Sequence, residues 1–123
     1  MVLVDTSVWV EHFRKGNAHL RKLLNDGEVV CHPFIIGELA CGRLQNRSEI
    51  LDLLEALTVV EVAEHEEALH LVAKHELQFS ELGWIDIHLL SSALLNRCNL
   101  FTLDKKLRSA AKILRIKTQA TAS

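Results

Sequence analysis

Four acidic side chains break into apolar stretches of this chain. Asp5 ends Val2-Leu3-Val4, Glu38 follows Phe34-Ile35-Ile36-Gly37, Asp86 follows Trp84-Ile85, and Asp104 closes Leu100-Phe101-Thr102-Leu103. A carboxylate set among apolar neighbours without a partner is costly to keep ionised. No lysine or arginine is interleaved with these four stretches. Hard oxygen donors of this kind are what a divalent cation takes up, so a metal-dependent enzyme is the economical reading of all four together. Thr6, Ser7 and Thr102 stand beside the acids, where hydroxyls orient carboxylates, hold water, or cap helices.

Each acid also has a purely structural reading. Asp5, Asp86 and Asp104 stand where helices begin, and aspartate is a favoured cap there. Glu38 has Phe34, Ile35, Cys41 and Gly42 at helical spacings of three and four, so it lies on or beside an apolar stripe from whose margin a glutamate can reach solvent. Four such coincidences are less economical than one cation. The histidines add little: His65, His70 and His75 fit an exposed helix face in a Glu-rich stretch, and His88 fits a hydrogen-bonded core position. Trp9 and Trp84 read as core or interface residues rather than base-stacking platforms, because only 5% of the chain is aromatic.

The elements that must position the acids follow from the patterning. Val2 to Val4 is a wholly apolar run, expected of a strand buried on both faces of a parallel sheet. Val8, Trp9 and Phe13 then recur at helical spacing until Gly16-Asn17, and a second helix is expected from Ala18 to Asn25. Glu28 to Cys31 reads as a strand, and Pro33 suits the first turn of a helix running through Glu38 to Leu44. Ser48, Leu51, Leu54 and Leu57 indicate a further helix. Thr58 to Val62 alternates like an edge strand, and Glu64 to Leu77 is helical. Trp84 to Leu95 is apolar nearly all round, as a central helix is, and Leu100 to Leu103 is a strand before a last helix. Strands alternating with helices give an α/β fold: three layers, with a mostly parallel central sheet flanked by helices. Asp5 and Asp104 are then expected on one sheet edge.

The bulk properties set the bounds. With 123 residues and 49% hydrophobic content, one domain spanning residues 1–123 with a real core is expected. Cys31, Cys41 and Cys98 are odd in number and widely spaced, which fits reduced thiols better than a disulfide framework. The opening Met1-Val2-Leu3-Val4-Asp5 has no positive n-region, and its apolar run is too short for export or a membrane span, so a cytoplasmic location without membrane contact is expected. The net charge of −2 gives no overall support for nucleic-acid binding, but its distribution is uneven. From Lys105 onward every charged residue is basic: Lys105, Lys106, Arg108, Lys112, Arg115 and Lys117. That run either solvates a face or holds a phosphate backbone beside Asp104.

The acidic quartet, in its order and setting, resembles the PIN-domain ribonucleases, in particular the VapC-type toxins of bacterial toxin–antitoxin pairs. The resemblance is carried by Val2-Leu3-Val4-Asp5-Thr6-Ser7-Val8-Trp9, Ile36-Gly37-Glu38-Leu39, Trp84-Ile85-Asp86-Ile87-His88-Leu89-Leu90 and Phe101-Thr102-Leu103-Asp104-Lys105-Lys106-Leu107, and it spans nearly the whole chain. It implies that Asp5, Glu38, Asp86 and Asp104 form a catalytic pocket for Mg²⁺ or Mn²⁺, with Thr6 and Thr102 as supporting or water-positioning groups. The implied reaction is hydrolysis of an RNA phosphodiester, leaving a 5′-phosphate and a 3′-hydroxyl. The implied assembly is a homodimer held in check by a cognate antitoxin protein. Leu20, Leu23 and Leu24, with Leu51, Leu54 and Leu57, are candidates for an antitoxin cleft or for the core, and Arg43, Arg47 and the basic C-terminal stretch for RNA phosphates. An aspartyl-phosphate phosphatase fits poorly, since the residue two beyond Asp5 is Ser7 rather than an acid. A phosphoacceptor receiver domain would need an acidic pair near Asp5. The competing reading from another class is a PIN-like module that binds RNA or protein without cutting, its carboxylates serving only as caps.

Overall fold

A computed structural model describes residues 1–119. Four strands, β1 (Val2–Val4), β2 (Val29–Cys31), β3 (Thr58–Val59) and β4 (Asn99–Phe101), form one sheet in the order β3-β2-β1-β4, with every pairing between them parallel. Val2, Leu3 and Val4 are all buried, so both faces of β1 are covered, and the sequence there has no reason to alternate. Each of these side chains contributes roughly 1.5–3 kcal/mol on leaving water, which favours a central place for β1. Thr58 and Val59 are exposed, as suits the edge strand β3.

Helices α1 (Thr6–Lys15) and α2 (Ala18–Asn25) carry the chain from β1 to β2, and α3 (Pro33–Cys41) and α4 (Arg47–Ala56) carry it on to β3. It then crosses back through α5 (His65–His75), a one-turn 3₁₀ helix (Leu77–Phe79) and α6 (Trp84–Asn96) to β4 on the other side of β1, followed by α7 (Lys105–Ile113). The chain thus moves outward from β1 in both directions. Open α/β sheets bind ligands beyond the strand ends at such a reversal, and Asp5 leaves β1 at that end. The outer edge of β4 is covered near its middle, where Leu100 pairs in parallel with Thr118.

Polar clamps lock the crossovers. Gly16, at φ +84°, makes the break between α1 and α2 in backbone that side chains rarely adopt, and a Cβ there would lie 3.0 Å from an Arg21 nitrogen. His32 caps α3: its Nδ1 accepts the Phe34 N–H at 3.0 Å, which leaves Nε2–H to donate to Ser92 Oγ in α6 at 3.1 Å. The same Ser92 oxygen accepts the Ala63 N–H at 3.1 Å. Asn96 donates to the Glu61 carbonyl at 2.8 Å and accepts the Glu61 N–H at 3.1 Å. The segment after β3 is therefore held against α6 by side chains rather than by a ladder, so the strand expected over Thr58 to Val62 stops at Val59.

Other boundaries differ from the patterning for similar reasons. The helix beginning at Pro33 ends at Cys41 rather than Leu44, because Gly42 is extended and only its N–H turns back, to the Leu39 carbonyl. Glu28 lies outside β2, its N–H bonded to the Leu23 carbonyl. β4 ends at Phe101 because Thr102 and Leu103 hydrogen-bond to groups of the acidic site. Leu20, Leu23 and Leu54 are buried in the core, and Leu24, Leu51 and Leu57 are partly buried and pack against it. The expected hydrogen bond of buried His88 is missing at Nδ1, which has no partner among the described residues. Cys31 and Cys98 are buried free thiols, whereas Cys41 is exposed.

Candidate active site

Asp5 is the organising residue. Its backbone N–H bonds the Phe101 carbonyl at 2.9 Å, tying the end of β1 to the end of β4. Its side chain caps α1 through the Thr6 N–H at 2.7 Å on Oδ1. The other oxygen, Oδ2, accepts hydroxyls from Ser7 at 2.8 Å and Thr102 at 2.7 Å. A plain cap accounts for the first contact only. Two further hydroxyls on a carboxylate that is 6% exposed fix its orientation more tightly than a helix start requires.

The same hydroxyls continue the network. Ser7 Oγ accepts the Leu103 N–H at 3.1 Å, and Thr102 Oγ1 accepts the Asp104 N–H at 3.0 Å. Asp104 in turn caps α7, its Oδ1 taking the N–H groups of Lys106 at 2.8 Å and Leu107 at 3.1 Å. Its Oδ2 accepts none from the described residues, so one oxygen stays open to another ligand. Glu38, exposed on α3, accepts the Thr6 hydroxyl at 2.8 Å. Asp5 is thus linked to Glu38 through Thr6, which gives its N–H to one and its hydroxyl to the other, and to the Asp104 backbone through the Thr102 hydroxyl.

Asp86 enters from the first turn of α6 and is coupled by charge. Burial first, then repulsion from Asp5, pushes its carboxyl up to about 6 against an opposing backbone hydrogen bond from Gly83, with weaker repulsion from Asp104 and Glu38 adding to the rise. The described ion pairs are Lys15–Glu11, Lys22–Asp26 and Lys106–Glu81, and none includes any of the four acids. Negative charge therefore accumulates here without an ion pair among the described residues to offset it. Among the described residues no three His, Cys, Asp or Glu side chains converge as a ready-made cage.

Two contacts were less visible in the sequence. Ser7, and not Thr6, is the hydroxyl of the Asp5-Thr6-Ser7 stretch that reaches Asp5, since Thr6 turns to Glu38. Arg108 donates to the Thr102 carbonyl at 3.0 Å, bracing the turn between β4 and α7; its position four residues after Asp104 was the only signal. Lys106, in the first turn of α7, pairs at 2.6 Å with Glu81 in the loop before α6, and each holds the other charged. Arg43 lies exposed between α3 and α4, and Arg47, exposed at the start of α4, donates to the Gly42 carbonyl at 3.3 Å.

A parallel sheet with its order reversed at β1, and an acidic cluster at the strand ends of β1 and β4, define a class of protein. The PIN domain family model matches residues 2–113, and the chain belongs to that family. Within it the chain is a VapC-type member: ribonuclease VapC32 of Mycobacterium tuberculosis, in two strains, is 47% identical over 111 residues, covering 89% of this chain and 90% of the relative. Solved structures agree on the fold. A toxin–antitoxin complex from Klebsiella pneumoniae superposes with a TM-score of 0.68 at 18% identity, over 86% of this chain and 88% of that one. PAE2754 from Pyrobaculum aerophilum gives 0.64 at 18% identity, over 94% and 93%.

Proposed function

We propose that this protein is an endoribonuclease toxin of a toxin–antitoxin pair, hydrolysing RNA phosphodiester bonds with Mg²⁺ or Mn²⁺ held by Asp5, Glu38, Asp86 and Asp104. The observation that supports it is the electrostatic one: burial first, and repulsion from Asp5, Asp104 and Glu38, push the Asp86 carboxyl up to about 6, and no described ion pair includes any of the four acids. The kinship with a protein named ribonuclease VapC32 supports RNA as substrate, and the fold likeness to a toxin–antitoxin complex supports a cognate antitoxin.

The residues divide the work. When bound, the cation supplies Lewis acidity toward the phosphate and lowers the pKa of water at the site. Ser7 and Thr102 hold Asp5 in one orientation, and Thr6 does the same for Glu38. Asp104 offers its second oxygen while the first anchors α7. Lys105 and Lys106, directly after Asp104, and Arg43 and Arg47 are the groups we assign to the RNA backbone. A homodimer and a cytoplasmic location complete the proposal; among the described residues no helix is long and apolar enough to cross a membrane.

The test is incubation of purified protein with total cellular RNA in Mg²⁺, in Mn²⁺ and in EDTA. Cutting confined to the metal-containing samples, with 5′-phosphate and 3′-hydroxyl ends, is the expected result. No cutting, together with no cation binding in calorimetry, would turn the reading to a noncatalytic binding module.

A further inference from the structure

Five rings run in contact from the core to the surface beside the acidic cluster. His32 lies 4.9 Å from Phe34, Phe34 lies 5.0 Å from His88, His88 lies 4.8 Å from Trp84, and Trp84 lies 5.2 Å from His65, measured between ring centres. His32 and His88 are buried, whereas Trp84 is 40% exposed. The chain of rings joins two of the helices that carry the acids. Phe34 stands one turn before Glu38 on α3, and Trp84 stands two residues before Asp86 in the first turn of α6. Trp9, the other tryptophan, is fully buried.

An indole so braced is a fixed surface, so little ordering is needed when something stacks on it. The surrounding charge indicates what that is. α7 opens with Lys105 and Lys106 after Asp104, where a phosphate backbone is attracted, and Lys106 reaches Glu81, three residues before Trp84. His65, in contact with Trp84, begins α5, whose first turn carries Glu66 and Glu67 and repels phosphate. A strand lying across the acidic cluster therefore meets the cations of α7 and, across the Lys106–Glu81 pair, an exposed aromatic surface. Aromatic surfaces take bases, by stacking that every nucleobase can provide.

We infer that Trp84 is a nucleobase-stacking subsite, which receives an unpaired base of the strand whose phosphate is held at the acidic cluster. The inference rests on the nuclease reading and deepens it. It departs from the reading of both tryptophans as core or interface residues: 5% aromatic content says nothing about where one exposed ring is placed.

The experiment compares wild type, Trp84→Leu and Trp84→Phe on a labelled single-stranded RNA decamer in Mg²⁺. Loss of one stacked base raises KM about tenfold in Trp84→Leu, with most of the loss recovered in Trp84→Phe. In parallel, tryptophan emission of the wild type is followed on rapid mixing with the decamer or with an abasic strand of equal phosphate number. Because Trp9 is buried, quenching reports Trp84, and only the strand with bases quenches. Unchanged KM and cut positions in a folded Trp84→Leu, or equal quenching by the abasic strand, would overturn the subsite. Absence of any cutting by wild type would overturn the nuclease reading instead. If Trp84→Leu fails to fold, the quenching comparison decides, since it needs only the wild-type protein.

Discussion

Replacing Thr102 by valine removes a hydroxyl while nearly keeping the shape, and the structure gives that hydroxyl two tasks. It donates to Oδ2 of buried Asp5 at 2.7 Å and accepts the Asp104 N–H at 3.0 Å. A hydrogen bond to a charged group contributes about 1.5–3 kcal/mol and a neutral one about 1 kcal/mol, so Thr102→Val is expected to cost about 3 kcal/mol. For a domain of this size that lowers the melting temperature by about 10 °C. Thr102→Ser keeps both hydrogen bonds and loses one buried methyl, which costs about 1 kcal/mol. Urea unfolding of both variants in EDTA, followed by circular dichroism, reads the two values directly. If packing alone mattered at this 1% exposed position, serine would be the worse substitution. A serine variant as unstable as the valine one, or more so, would refute the hydroxyl network as the frame of the site.

Four further outcomes follow from named groups. Asp86→Asn should stabilise the cation-free protein: the push to about 6 would correspond to about 3 kcal/mol at a fully buried site, and solvent screening of a half-buried carboxyl leaves about 1 kcal/mol. An acid raised on folding binds more protons in the folded state, so this gain is complete above about pH 6 and gone near pH 4; a gain that is the same at both pH values contradicts the assignment. Cation affinity at pH 5 should be about tenfold weaker than at pH 7, because a proton on Asp86 competes with the metal, and calorimetry with Mn²⁺ showing equal affinity would remove Asp86 from the ligand set. Burial first, then repulsion from His88, holds His32 down to about 4, so the stability that depends on its neutral ring is fully present above pH 6.5 and lost as pH falls toward 4. Ser92→Ala, which strips the partner from both His32 and the Ala63 N–H, should cost about 2 kcal/mol in urea unfolding, and a cost under about 0.5 kcal/mol would show the clamp to be incidental.

The central strand was legible because burial on both faces leaves a strand no freedom to alternate, and Val2 to Val4 shows that directly. The long helix from Trp84 was legible because it is apolar on nearly every side. What stayed hidden depends on side chains that meet across the fold. Nothing local to Glu61 says that Asn96, 35 residues on, will take its backbone groups and end the strand early. The positions of the acids stood out as charges in apolar runs, but the sharing of hydroxyls did not. Thr6 and Ser7 are adjacent, and only the start of α1 decides that one turns to Glu38 and the other to Asp5. Leu20, Leu23 and Leu54 show the opposite limit: helical spacing marks an apolar face without saying whether core or partner covers it.

The most direct measurement is RNA cleavage by wild type and Asp5→Asn side by side, each with Mg²⁺ and with EDTA, after circular dichroism has shown both to be folded. The substitution keeps the shape of the residue that joins β1, β4 and α1 and removes its charge. Cutting by wild type in Mg²⁺ only, and none by folded Asp5→Asn, is the predicted result. Equal cutting by the two proteins, or cutting that persists in EDTA, would contradict a metal-dependent acidic site.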